Sequence, residues 1–265
     1  PGLGTTFGRG GCTTYLQDLP NSDAVLIIGS NFAEAHPVGF QWAMEARTAG
    51  TKIIHVDPRF SRTSASADQF VPIRPGTDIA FIGGLINYVL TNERWFTEFV
   101  DAYTNAGHVV AEGIELPDEL DGLFSGWVTD EGRYDTATWQ FERDESGEAV
   151  TDPTFVHPRC VMSLLRRHYA RYTPEMVSDI CGIDPAAFDR AADTFTAASG
   201  RDRTGMVCYA VGLTMHSKGV QNIRSLGVLQ LLLGNIGRPG GGILALRGHA
   251  NVQGATDLPV LYDLW

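Results

Sequence analysis

The chain alternates between short apolar runs and longer stretches of helical character. Residues 23–31, DAVLIIGSN, form an apolar run dense in branched side chains and closed by Gly-Ser-Asn. A run without alternation predicts a parallel strand buried on both faces. Residues 33–50 then predict a helix, with Pro37 suited to a first turn and Gly50 to a C-terminal cap. Residues 51–60 predict a second buried strand ending in Asp57, Pro58 and Arg59, and residues 68–78 hold a short third strand. Residues 77–92 predict an apolar helix opened by Thr77 as its capping residue. Strand, helix, strand, short connection, strand, helix is the order of an α/β doubly wound protein.

The pattern then breaks. From about Gly107 to Pro158 the chain is acidic and Gly-rich with scattered aromatics, which predicts one irregular insertion or a weak hairpin. Helical patterning returns over 159–172, 173–182 and 184–199, the last two opening on Thr-Pro and Asp-Pro, a cap followed by a first-turn proline. A strand over 204–213 and a helix over 217–237 make a further βα unit, and residues 238–259 read as loop. The expected division is therefore 1–106, a first α/β part; 107–158, the insertion; and 159–265, a helical segment with a second βα part and a terminal loop.

Charge narrows the partners. With 31 acidic and 20 basic residues the net charge is −11, which argues against nucleic acid and anionic membrane surfaces. No apolar run reaches the roughly 18 residues of a membrane span, and no signal peptide is visible. The four cysteines, Cys12, Cys160, Cys181 and Cys208, have no Cys-x-x-Cys spacing and read as small buried hydrophobes. The chain starts at Pro1 and stops at Trp265 without the features of natural ends, so it reads as an internal piece of a longer polypeptide.

Three loops follow predicted strand ends: 29–37, 57–62 and 212–219. In an open parallel sheet, ligands bind outside the carboxyl ends of the strands. The first loop leads into a helix N-terminus, which favours phosphate. The second offers the Asp57 carboxylate, able to accept from a ring edge or a ribose, and Arg59, able to fork onto phosphate or stack on a base. Together these point to a nucleotide, without the Gly-x-Gly-x-x-Gly of a nicotinamide site. Near the end, RGHANVQGATDLP places Arg247, His249, Asn251 and Gln253 among small residues, after three consecutive glycines that suit close passage of backbone past a bulky group.

Six stretches carry a resemblance: GSNFAEAHPV, VDPRFSRTSASAD, PIRPGTDIAF, HSKGVQNIRS, LLLGNIGRPGGG and LRGHANVQGATDLP. In this order they resemble the molybdopterin oxidoreductases, and within them the large catalytic subunits of respiratory formate dehydrogenases. The resemblance covers essentially the whole chain, and it implies the central domains of that fold and a bis(molybdopterin guanine dinucleotide) cofactor carrying molybdenum or tungsten. It places Asn31, Glu34 and Ala35 against one dinucleotide, Asp57 and Arg59 at its guanosine with Gly76 and Asp78 close by, and Gly212, Met215 and Gln253 in the cofactor wall. Arg247 is implied as the formate-site arginine, with His249 beside it, so formate is the implied substrate.

The same resemblance implies that a cysteine or selenocysteine ligates the metal, followed by a histidine, and that this pair precedes Pro1. Cys12 follows that landmark and is not taken as the ligand, so no metal ligand is assigned in this chain. Iron–sulfur clusters are implied in the full-length chain outside this segment, with an iron–sulfur β subunit and a membrane cytochrome b γ subunit as partners at the outer face of the cytoplasmic membrane. The alternatives are another reductase of the same superfamily, acting on nitrate, a sulfoxide or a sulfur oxyanion, or a non-catalytic nucleotide-binding module.

Overall fold

In the computed structural model, residues 2–250 and 252–257 are described, and they contain seven strands: β1 (Ala24–Ile28), β2 (Lys52–Val56), β3 (Gln69–Val71), β4 (Trp127–Val128), β5 (Arg133–Tyr134), β6 (Gly205–Tyr209) and β7 (Gly242–Ala245). Five of them form one parallel sheet in the order β3-β2-β1-β6-β7. The chain leaves β1 in one direction to make β2 and β3, then returns to lay β6 and β7 on the other side. The order therefore reverses between β1 and β6, the position where open α/β sheets hold ligands.

The apolar run at 24–28 becomes a strand because every one of its side chains is buried. Its register aligns Ile28 with Val56 on one side and with Tyr209 on the other, so the carboxyl ends of β1, β2 and β6 are level. Val25 and Ile27 join Met206, Cys208, Phe32, Phe40 and Ala43 in one core layer. The helix Pro185–Thr196 packs against β1, β2 and β3. Each fully buried branched side chain of this kind contributes roughly 1.5–3 kcal/mol.

Several elements differ from the sequence reading. The single helix expected over 33–50 is two, Phe32–Ala35 and Pro37–Thr48, broken at His36 with φ −135° and ψ 59°. Pro37 causes this, because its ring excludes the helical conformation from the residue before it. Thr77 begins the helix Asp78–Thr91 but does not cap it with its side chain; its hydroxyl instead donates to the Arg74 carbonyl at 2.7 Å. Thr173 and Asp184 do cap, accepting from the backbone N–H of Met176 and Ala186.

Residues 238–259, read as loop, contain β7 and the helix Val252–Asp257. Four apolar residues between Gly242 and Arg247 are too short for periodicity to register. Tertiary contacts make the strand: Gln230 Nε2 donates to Gly205 O at 2.9 Å and to Gly242 O at 2.6 Å, tying β6 to β7 from a fully buried position. Gly240 has φ +72°, and a β-carbon there would stand 2.2 Å from the Asn21 carbonyl oxygen. Its N–H donates to the buried Asp18 carboxylate at 2.8 Å.

Two compact units are present, one formed by residues 1–99 with 169–265, the other by Val100–His168. The first carries the whole parallel sheet, so the α/β parts separated in sequence share one core. The second contains the antiparallel pair β4–β5, with Trp127 opposite Tyr134. Inside it the Asp152 carboxylate accepts from the backbone N–H of Thr154, Val156 and His157 at 2.9, 2.8 and 2.6 Å. These bonds, led by one from the Thr154 hydroxyl, hold its carboxyl well below the ordinary carboxylate range. No helix among the described residues is long and apolar enough to cross a membrane.

Candidate functional site

Because all five strands run the same way, the loops after β1, β2, β3, β6 and β7 emerge at one edge of the sheet. At the reversal point the loops after β1 and β6 touch through backbone: Gly212 N donates to Gly29 O at 3.0 Å. A β-carbon at position 212 would stand 2.5 Å from that same oxygen. Glycine is needed here because no side chain fits between the two tips. Beside this crevice the Ser30 hydroxyl is buried and has no hydrogen-bond partner among the described residues.

The loop after β1 presents Asn31, whose Nδ2 donates to Glu34 Oε2 at 2.7 Å while its Oδ1 accepts from Thr63 Oγ1 at 3.1 Å. Thr63 is buried and also accepts from Ala33 N at 2.9 Å, so it locks the loop from beneath. The Asn31 bond, with help from Arg62 and Arg59, holds the Glu34 carboxyl below its ordinary range. Glu34, Ala35 and Arg59 are exposed, leaving their outer faces open to a ligand.

The loop after β2 presents Asp57, half-buried, with Oδ1 accepting from Arg59 N at 2.9 Å. Behind it lies His55, fully buried. Its Nε2 lies 3.1 Å from the Ser30 carbonyl and its Nδ1 2.9 Å from the Ser64 hydroxyl. A carbonyl only accepts, so Nε2 carries the proton. Burial pushes the imidazole pKa down, against the pull of Asp57, whose Oδ2 is 3.9 Å from Nε2. His55 is therefore a neutral strut joining β2 to the tip of β1.

After β3, Gly76 turns with φ +81° and Asp78 begins the next helix. Asp78 is buried, and its carboxyl is raised by that burial; its own backbone N–H and His216 oppose the shift, while Asp57 adds to it. Asn31, Glu34, Asp57, Arg59, Gly76, Asp78 and Gly212 thus form a connected face across the tips of β1, β2, β3 and β6. Met215, at the end of the short helix Val211–Thr214, is 76% exposed beside this face.

Arg247 and Gln253 meet at the β7 end. Leu246 N donates to Tyr209 O at 2.8 Å, which extends the β6–β7 pairing up to Arg247. The Arg247 guanidinium is solvent-accessible and donates from Nη2 to Gly10 O at 2.6 Å. Its positive charge opposes the burial that pushes the Tyr209 hydroxyl up to about 12. Gln253 Oε1 accepts from Cys12 N at 2.5 Å, and the Cys12 thiol pairs with both backbone groups of Ala245, accepting from N at 3.1 Å and donating to O at 3.4 Å. A cleft of about 320 Å³ is lined by Cys12, Tyr15, His36, Arg247 and Gln253. His249 is exposed and outside that lining.

His55, Thr63 and His216 are the site residues that sequence reading did not single out, and Cys12, weighed there only as a metal ligand and set aside, lines the cleft. His216 lies in the loop 212–219, whose place after a strand end was the available signal. Thr63 and His55 act from beneath the surface and leave no motif. All four cysteines are free, with Cys160, Cys181 and Cys208 buried. Among the described residues no group of three or more His, Cys, Asp or Glu side chains is placed to hold a metal ion.

Residues 4–262 match the family described as molybdopterin oxidoreductase. The chain is 50% identical over 260 residues to the formate dehydrogenase-O major subunit of Escherichia coli (strain K12), covering 98% of this chain and 25% of that protein. It is 45% identical over 263 residues to the formate dehydrogenase subunit alpha of Megalodesulfovibrio gigas, covering 99% of this chain and 26% of that one. Among solved structures, the acetylene hydratase from Pelobacter acetylenicus matches with a TM-score of 0.58 at 22% identity, over 91% of this chain and 26% of that one. The chain thus spans about a quarter of the length of these relatives.

Proposed function

The chain belongs to the molybdopterin oxidoreductase family, and from that premise we propose that it is the dinucleotide-binding and substrate-facing part of a formate dehydrogenase catalytic subunit. The observation that carries this reading is the convergence of five strand tips on one edge, with the acceptor-rich face at β1–β3 and β6 and the Arg247 guanidinium at β7. Formate is a small carboxylate, and a fixed guanidinium is the side chain that binds a carboxylate through two parallel hydrogen bonds.

The edge suits a guanine dinucleotide on three counts. The Gly29–Gly212 contact leaves bare backbone for a bulky ligand to approach, the buried Ser30 hydroxyl has no hydrogen-bond partner among the described residues, and Asp57 and Asp78 are acceptors for N–H donors of a ring edge. Asn31, Glu34 and Ala35 would lie along the dinucleotide, Asp57 and Arg59 at its guanosine, Gly76 and Asp78 nearby, and Gly212, Met215 and Gln253 along its wall. When bound, a molybdenum- or tungsten-bearing bis-dinucleotide supplies the two-electron acceptor, so that formate yields carbon dioxide, one proton and two electrons. The part of Arg247 is to bind and orient the anion, and to concentrate it within a protein of net charge −11. His249 stands two residues on, as a group for moving the proton.

The named relatives are major or alpha subunits, so partner subunits accompany this reading: an iron–sulfur β subunit and a membrane cytochrome b γ subunit, with iron–sulfur clusters in the remainder of the full-length chain and an outer-face location. Full-length protein isolated without oxygen is expected to contain molybdenum or tungsten, to release guanine nucleotide on acid hydrolysis, and to reduce a dye with formate. Nitrate, sulfoxide or sulfur-oxyanion reduction without formate oxidation would replace the reading with another activity of the superfamily. Absence of both metal and pterin would leave a nucleotide-binding module without redox chemistry.

A further inference from the structure

The two sides of the central crevice are braced by the same device. On the β1 side, His55 Nε2 donates to Ser30 O at 3.1 Å with the Asp57 carboxylate 3.9 Å away. On the β6 side, His216 Nε2 lies 2.6 Å from Gly212 O, to which it must be the donor, with the Asp78 carboxylate 3.7 Å away. Each imidazole therefore holds a carbonyl at the reversal point and stands beside a carboxylate, half-buried Asp57 or buried Asp78. His55 is sealed inside the core, whereas His216 is 29% exposed at the edge itself.

The β6-side loop is a single short helix, Val211–Thr214, anchored by buried Leu213, whose carbonyl accepts from Asn222 Nδ2 at 3.1 Å, with Val211 and Met215 turned outward at 60% and 76% exposure. Asp78 has no Arg or Lys within ion-pair distance among the described residues; its own backbone N–H and, after it, His216 oppose its burial and the nearby charge of Asp57. The opposite edge of the ring faces the turn after β3, where a β-carbon at Gly76 would stand 3.9 Å from Nδ1.

We propose that His216 is a positioning residue for the dinucleotide: by holding the Gly212 carbonyl and standing between it, Asp78 and Gly76, it fixes the loops after β3 and β6 relative to each other. The inference rests on the reading that this edge receives a guanine dinucleotide. His216 itself need not touch that ligand. What matters is a hydrogen-bond donor at the Nε2 position, because it holds the Gly212 carbonyl while Gly29 O holds the Gly212 N–H.

The test uses the full-length holoenzyme with His216→Gln, which keeps a donor, and His216→Leu, which keeps bulk without one. The readouts are guanine nucleotide retained per protein after prolonged dialysis, the thermal midpoint of cofactor-free protein, and formate KM against kcat. Loss of one hydrogen bond of this kind predicts roughly a tenfold faster loss of nucleotide in the Leu variant. The Gln variant is expected to stay within about twofold of the parent in nucleotide retention, and the cofactor-free midpoints to coincide. Equal retention by Leu and parent would overturn the proposal, as would equal loss by Gln and Leu. If the Leu variant does not fold, His216→Phe takes its place with the same expected outcome. A parent enzyme that releases no guanine nucleotide would instead overturn the reading of the edge on which the proposal stands.

Discussion

A β-carbon at Gly29 would lie 2.6 Å from the backbone nitrogen of Leu213, across the crevice between β1 and β6. Gly29 also has φ +60°, so an alanine there meets both a left-handed backbone and a neighbouring chain. Gly29→Ala is expected to destabilise by about 2 kcal/mol or more, read as a fall of several degrees in the thermal midpoint. Gly248→Ala, where a β-carbon meets nothing within 4 Å, is the control and should change stability little. Equal midpoints for the two variants would show that the crevice tolerates opening.

The Asp57 carboxylate has Oδ1 accepting from the Arg59 backbone and Oδ2 3.9 Å from His55 Nε2, with its side chain partly exposed at the edge. Asp57→Ala removes an acceptor for a ligand donor, and cofactor occupancy should fall by roughly tenfold, since hydrogen bonds to charged groups are worth about 1.5–3 kcal/mol. Nucleotide analysis of the purified enzyme gives the occupancy, and full loading would remove Asp57 from the guanosine contact.

Cys12 pairs with the backbone of Ala245, and burial pushes its thiol pKa up, with the Ala245 bond and the Arg247 charge opposing. A thiol so placed is a structural clasp and a poor nucleophile at neutral pH. Cys12→Ser keeps a donor and an acceptor, so formate turnover should stay within about threefold of the parent, a difference of well under 1 kcal/mol. Loss of metal from this variant would make Cys12 a ligand after all.

In the Val100–His168 unit, Asp152 gathers three backbone N–H groups and the Thr154 hydroxyl, which hold its carboxyl well below the ordinary range. A folded-state pKa below the unfolded one adds stability that is present above the unfolded value, near 4, and is lost as pH falls through the folded one. Asp152→Asn should therefore lower amide protection of Val156 and His157 at neutral pH, with the difference from the parent shrinking in strong acid. Hydrogen exchange, corrected for intrinsic rates, reads this directly; a difference that grows on acidification would reverse the sign.

How much of this was legible in the sequence depended on the range of the forces involved. β1 and β2 could be read because their burial on both faces writes an unbroken branched run, as in Val25 to Ile28. The loops after them could be read because a parallel strand followed by Gly-Ser-Asn or Asp-Pro-Arg marks a ligand edge. β7 could not, because its strand character comes from Gln230 and from pairing with β6 rather than from its own four residues. The break at His36 was available from Pro37 but was outweighed by the helical composition on either side. His216 does not stand out in the sequence from a surface histidine: Gly212 is only four residues away, but Asp78 is brought beside it by the crossover between β3 and β6.

The central claim is that Arg247 binds the substrate carboxylate at this edge, and one variant tests it most directly. In full-length Arg247→Ala enzyme, kcat/KM for formate should fall about 100-fold or more, while molybdenum or tungsten content per protein matches the parent. Arg247→Lys should recover only part of the loss, because an ammonium cannot fork onto a carboxylate. Parental turnover in a fully metal-loaded Ala variant would contradict the account.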